Sequence, residues 1–451
     1  MHNINTYLKR TGFWAVFMVV TIFLPVTRAS AFFLQQKNKE GEVILDAKPA
    51  NKNALFKAGE EINYKLSVKN TYNEKQEGKF SYIITSDDGK KIFENTSDFS
   101  VGAGSSKSLN VKVAPKAAGF YHINFMFNLS AYDDTVRKVF GVNPEAITSE
   151  LHKPDDFDQF WQETRQQLSK VSPQYKVIFR PDLSTKYKKV YSVEMKSYEN
   201  LLIRGWLVIP TDGSKFPVHY RVPGYVVELK PNMDNDDYIA FDINVRGNGN
   251  SKDVVHINTD NYSTTNIQDK DKYIYRGVYM DCLRGLDFLY SHANLGIDTS
   301  KIFIEGGSQG GALAVVTAGL DKRVKVLTMQ VPLYADIRDN YSISASYKEQ
   351  VVPFKMFRQY KNQHPEFTWE QFYATFDYYD PQNFAPMVKC PVLMGIGLLD
   401  QFCPPRCSMA LFNHLGSTNK EFVCVPNSTH EVDFNYFMFQ NLWVREKFRI
   451  P

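Results

Sequence analysis

Residues 302–316 read IFIEGGSQGGALAVV, with Ser308 at the centre of the pattern Gly306-x-Ser308-x-Gly310. An apolar run enters the pattern, and a run of small residues suited to a helix leaves it. A strand that turns this sharply into a helix strains the backbone and leaves no room for side chains on either side of the serine. Gly306, Gly307, Gly310 and Gly311 meet that need. The free N–H groups at the start of such a helix point towards negative charge that develops at the serine. A lone G-x-S-x-G is common, and its bland reading is a tight turn with an unreactive serine. The surrounding chain decides between the two.

Downstream, the strand-like runs VKVLTMQV (324–331), PVLMGIG (391–397) and EFVCVP (421–426) alternate with helical stretches over 309–320, 404–415 and 431–448. Upstream, strands are expected at 187–198, 201–210, 216–222 and 237–245. A helix is expected over about 274–293, where Tyr279, Leu283, Leu286 and Leu289 recur at helical spacing. Another is expected within DDFDQFWQETRQQL (155–168). Regular alternation with unalternating apolar strands predicts a mostly parallel sheet covered by helices on both faces, an α/β fold of the α/β-hydrolase type over 155–451. Ligands of open α/β sheets bind beyond the carboxyl ends of the strands, and Ser308 lies at such an end.

A serine hydroxyl is a weak nucleophile until a base takes its proton. Three histidines follow Ser308: His364 precedes a proline in a polar insert, His414 falls mid-helix, and His430 lies in the loop PNSTHEVDF after the last strand. The order Ser, acid, His favours His430. For the acid, Asp400 directly follows the strand PVLMGIG, whereas Asp336, Asp339, Asp377 and Asp380 fall in the insert, where turn-capping is the ordinary reading. An oxyanion hole would use the amide of Gln309, next to the serine, and that of Tyr225 after the early strand ending HYRVPGYVV (219–227). The insert over 336–385 is rich in aromatics, which serve either as its own core or as a wall for the acyl group.

Residues 40–143 read differently. Short alternating runs such as EINYKLSV, KFSYIITS and YHINFMFN are separated by turn signals, which predicts a small all-β, immunoglobulin-like sandwich domain over 32–143 and a linker over 144–154. At the start, Lys9 and Arg10 precede an apolar stretch ending near Val26, and Ala29-Ser30-Ala31 supplies small residues for cleavage. That pattern predicts a signal peptide over 1–31 and a periplasmic or secreted protein, with an uncleaved anchor as the other reading.

Six segments together resemble the acetyl xylan esterase and cephalosporin-C deacetylase family, carbohydrate esterase family 7, over about 150–451. They are PDDFDQFW (154–161), RGNGNS (246–251), YIYRGVYMDCLRGLDFL (273–289), GGSQGG (306–311), GLLDQFCPP (397–405) and THE (429–431). The resemblance implies a catalytic triad of Ser308, Asp400 and His430, an oxyanion hole of the Tyr225 and Gln309 amides, and removal of acetyl groups from sugars such as acetylxylan. Family members often form hexamers, so a homo-oligomer stays open. The sequence departs from the family where GYVVELKP and Asn248 replace a glycine-rich continuation and a glutamine.

Other classes fare worse. A net charge of +4 over 451 residues, with the basic residues scattered, gives no footprint for nucleic acid. No Cys/His cluster has zinc-ligand spacing and no cofactor is implied; Cys403 and Cys407 could pair or stay free. The rivals are a prolyl-oligopeptidase-like serine peptidase, whose N-terminal propeller needs far more chain, and a non-catalytic carbohydrate-binding protein.

Overall fold

The computed structural model describes residues 41–450 apart from 116, 214, 235, 256–258, 348–350 and 352. The expected signal peptide therefore lies outside the described residues.

Eight strands are described in the front part: β1 (Val43–Pro49), β2 (Leu55–Phe56), β3 (Ile62–Asn70), β4 (Gln76–Ser86), β5 (Lys91–Val101), β6 (Ser106–Val113), β7 (Gly119–Leu129) and β8 (Asp133–Val142). They form a three-stranded sheet, β1-β3-β6, and a five-stranded one, β2-β8-β7-β4-β5. Strict alternation along β3 turns Ile62, Tyr64, Leu66 and Val68 inward. The Tyr64 ring meets Phe125 and Phe140 of the other sheet at 5.4 and 6.3 Å between centroids, so the two sheets share one core. Strands β1, β2 and β5 are absent from the sequence reading. In β5, eight consecutive residues are exposed, so no inward face marks it in the sequence.

The second part carries α1 (Phe157–Ser169), β9 (Lys176–Phe179), β10 (Lys188–Lys196), β11 (Leu202–Pro210), β12 (Phe216–Arg221), β13 (Ile239–Asn244) and α2 (Ile274–Ser291). It continues with β14 (Ile297–Gly307), α3 (Gln309–Leu320), β15 (Val326–Gln330), α4 (Ile337–Ser346), α5 (Phe354–Gln363), α6 (Trp369–Phe376) and α7 (Pro381–Phe384). It ends with β16 (Val392–Gly397), α8 (Pro405–His414), β17 (Lys420–Val425) and α9 (Phe434–Phe448). The nine strands order as β17-β16-β15-β14-β12-β13-β11-β10-β9. The six from β13 to β17 pair in parallel, while β11, β10 and β9 add antiparallel.

Burial on both faces explains the unalternating strands: every residue of β13, β15 and β16 is buried. Along β14, Phe303 packs with Leu393, Trp443 and Val444 under α9, while Ile302 and Ile304 join the core on the opposite face, where α2 and α3 lie. Helix α9 starts at Phe434 rather than at 431, because the Asp433 side chain accepts the Tyr436 amide at 3.0 Å and caps it there. Many insert aromatics pack on one another, as in Tyr341–Trp369 (4.7 Å) and Phe357–Phe372 (4.8 Å), while Tyr378 and Tyr379 pack on Phe160 of α1, so they serve as core both of the insert and of its seat on the domain.

From Gly41 onward the chain clusters as a single compact unit. The segment expected as a linker is strapped to the core: Asn413 donates to the carbonyls of Pro144 and Ile147, and Asn383 to that of His152.

Candidate active site

Four parallel strands deliver the site. Ser308 follows β14, Asp400 follows β16, His430 follows β17, and Gly224-Tyr225 follow β12. All four segments leave the carboxyl edge of the sheet, the edge at which such sheets hold ligands.

Ser308 adopts φ 57°, ψ −123°, a left-handed value that a non-glycine residue rarely takes. Three backbone bonds hold it there. Its N–H donates to the Gln330 carbonyl at 2.9 Å, and its own carbonyl accepts from Leu333 (3.0 Å) and Ala312 (3.2 Å). The turn is too tight for side chains: a Cβ on Gly306 would sit 2.3 Å from the Gly310 backbone. Glycine is therefore required, and Ser308 is presented at the tip of a fixed elbow.

The three residues singled out from the sequence come together. Ser308 Oγ lies 2.8 Å from His430 Nε2, and His430 Nδ1 lies 2.8 Å from Asp400 Oδ2. The other oxygen of Asp400 accepts the amides of Phe402 (2.8 Å) and Cys403 (2.9 Å). Asp400 is almost fully buried, and burial pushes its carboxyl above the usual carboxylate range against the opposing pull of His430. The Phe402 ring stands edge-on to the imidazole at 5.1 Å.

The loops bearing Asp400 and His430 are stitched together. Leu398 N–H donates to Val425 O at 3.1 Å and Leu399 N–H to Ser428 O at 2.9 Å. A Cβ on Gly397 would sit 2.0 Å from the Thr429 carbonyl, so only glycine lets the loops approach this closely. An arrangement of this kind can pass the serine proton to the imidazole and hold the resulting cation against a carboxylate.

The Gly224-Tyr225 turn is tied to the elbow by a contact the sequence reading missed. The Gln309 side chain donates to the carbonyls of Pro223 (3.4 Å) and Gly224 (3.3 Å), while its own oxygen accepts from Tyr275 at 2.6 Å. Tyr275 lies in the segment 273–289 noted above, but nothing in its spacing announces this partner. Just beyond Tyr225, Val226 takes φ 55° where the family has glycine-rich sequence.

Three of the four competing acids are spent elsewhere. Asp380 accepts the amides of Ile337 (2.8 Å), Gln382 (2.8 Å) and Asp336 (3.2 Å), Asp377 pairs with Arg338, and Asp339 with Arg406. His414 faces the Ala410 carbonyl and His364 lies beside Glu366. All five cysteines are free, Cys403 and Cys407 included. Among the described residues, Asp400, Cys403 and His430 bring potential metal-ligand atoms within 4.8 Å of one another. The Asp400 and His430 atoms among them are already engaged in the hydrogen-bond chain from Ser308.

Comparison with known proteins agrees with this geometry. The profile of the family described as acetyl xylan esterase (AXE1) matches residues 145–445. The acetyl esterase Axe7A of Xylanibacter ruminicola is 27% identical over 413 residues, spanning 88% of this chain and 89% of its own. Residues 145 onward cannot fill that share, so the match reaches back into the front sheets. Two solved structures cover 67% of this chain: the acetyl xylan esterase from Paenibacillus sp. R4 (29% identity, 98% of that chain, TM-score 0.59) and acetyl xylan esterase 1 from Thermoanaerobacterium sp. JW/SL YS485 (20% identity, 97% of that chain, TM-score 0.61).

Proposed function

The chain belongs to the acetyl xylan esterase family and is a carboxylic ester hydrolase, and on that premise we propose that it removes acetyl groups from acetylated oligo- or polysaccharides through an acyl-enzyme. Ser308 is the nucleophile, His430 takes and returns its proton, and Asp400 orients the imidazole and steadies its charge. The amides of Gln309 and Tyr225 receive the oxyanion, and water then releases acetate. The observation that carries this reading is the unbroken chain from Ser308 through His430 to Asp400, with both links at 2.8 Å.

The pattern in residues 1–31 supports export to the periplasm or medium, and no helix among the described residues is long and apolar enough to cross a membrane. We read the front sheets as an immunoglobulin-like accessory module.

The test is turnover of p-nitrophenyl acetate, acetylated xylo-oligosaccharides and a proline-containing peptide by the wild type and by Ser308→Ala. Both esters should be cleaved and the peptide spared, and Ser308→Ala should lose about a thousandfold or more in kcat while keeping its fold. Near-full turnover in Ser308→Ala would remove the assignment, and cleavage of the peptide alone would favour the peptidase.

A further inference from the structure

A cleft of about 930 Å³ has Tyr225 in its wall. Gly224, the residue before Tyr225, accepts a bond from the side chain of Gln309, the residue after Ser308. The cavity is far larger than an acetyl group needs and falls in the size range of sites that bind whole ligands. One wall is the segment 261–268; the other is α5. The hydroxyl of Tyr360 on α5 donates to Gln268 Oε1 at 2.9 Å and ties the two walls together.

The chemistry of the lining is distinctive. Asn261, Asn266, Gln268, Gln359 and Gln363 supply side-chain amides, Thr264 and Thr265 supply hydroxyls, and among the described residues no carboxylate lines the cleft. Each of the other four clefts described has at least one Asp or Glu in its wall. On α5 the exposed residues Lys355, Gln359 and Gln363 recur every four positions, so they share one face. They rise about 6 Å per step, on the scale of one sugar ring. The opposite face of the helix buries Phe354 and Phe357 in the insert core, which fixes the orientation.

Tyr225, Met356 and Tyr360 would give an acyl chain some contact, but it would leave the amides without hydrogen bonds, at a cost of about 1–3 kcal/mol for each one buried. A polyhydroxylated chain would satisfy them, and Lys355, with no carboxylate among the described lining residues, disfavours a cationic sugar. We propose that this cleft holds the sugar chain on the alcohol side of the ester, reading several units of a neutral or acidic glycan along the Lys355–Gln359–Gln363 face. This inference rests on the acetyl-glycan reading of Ser308 and extends it to a named subsite.

The experiment measures kcat/KM for p-nitrophenyl acetate and for singly acetylated xylo-oligosaccharides of two to five units, in the wild type and in the double variant Gln359→Ala/Gln363→Ala. Both glutamines are exposed and far from the fold's core. The wild-type value should rise with oligosaccharide length, and the double variant should lose roughly tenfold on the longer glycans, mostly through KM, with p-nitrophenyl acetate unaffected. Equal losses on both substrates, or no loss on the longer glycans, would overturn the subsite while leaving the deacetylase reading intact. A wild type that cleaves p-nitrophenyl acetate but no acetylated glycan would overturn that reading and the subsite with it.

Discussion

The hydrolase core and its seam with the front sheets handle buried charge in opposite ways. Inside the core, Arg246 and Asp281 are both buried and meet side to side: Arg246 Nε donates to Oδ2 and its terminal nitrogen to Oδ1, each at 2.9 Å. Ser197 and the Arg246 amide complete the carboxylate's bonds, and the Tyr198 carbonyl and Glu199 take the guanidinium's remaining donors. At the seam, Asp87 is also buried but, among the described residues, accepts one weak bond, from Phe120 N–H at 3.3 Å. Arg406 lies close enough to attract it, yet Arg406 is bonded to Asp339. Burial therefore wins and pushes the Asp87 carboxyl up to about 7. The Arg246–Asp281 pair keeps each buried charge partnered, whereas the under-served acid ties the stability of the seam to pH.

The strongest way to break this contrast is to remove one half of the core pair. Arg246→Leu leaves Asp281 buried without its cation and should cost about 3–5 kcal/mol, read as a drop in the urea midpoint. A loss below about 1 kcal/mol would mean that the pair is not what closes this part of the core.

The seam should respond to pH instead. The folded value of Asp87, about 7, lies above the unfolded value near 3.8, so the folded state holds a proton that the unfolded state has already released. The associated stability is complete below about pH 4 and is lost as pH rises towards 7, at no more than about 1.4 kcal/mol per pH unit. Asp336 and Asp380 are raised in the same direction, to about 6 and about 7, and contribute their own share. Asp87→Asn should remove only its part, flattening the fall in stability between pH 4 and 7 without abolishing it. An unchanged profile would show that Asp87 ionises freely at the seam.

The smallest effect concerns the other end of the seam. Lys138 of β8 donates to Asn427 at 2.7 Å, three residues before His430. Lys138→Met should lower kcat on p-nitrophenyl acetate about threefold with little change in KM, since one hydrogen bond steadies the loop that carries His430. An identical kcat would leave the front sheets with no part in positioning that loop.

The sequence disclosed one side of this comparison better than the other. Ser308, Asp400 and His430, which the structure brings together, stood out in the sequence because local signals coincide there: an apolar strand, glycines on both sides of Ser308, and chain order pointing to Asp400 and His430. Contacts between distant segments left no such trace. Arg246 and Asp281 both lie in segments that carry the family resemblance, but nothing local pairs residues 35 positions apart. The seam joins Asp87 to the neighbourhood of Arg406, and neither site has a periodic pattern. The Gln309 clamp was invisible because its partners are backbone carbonyls, which no side-chain pattern records. Val226 was equally hidden, since a β-branched residue at φ 55° runs against local preference.

The stitching of the Asp400 and His430 loops has a consequence for how the enzyme fails when heated. The Leu398 and Leu399 amides reach across to Val425 and Ser428, between fully buried β16 and the partly exposed edge strand β17. Amides bonded in this way should exchange with solvent deuterium more slowly than those of fraying loops. Asp400 and His430 therefore depart and return as one body. Partial warming should leave molecules either fully active or fully inactive, with no population whose histidine has lost its carboxylate while the rest of the fold survives.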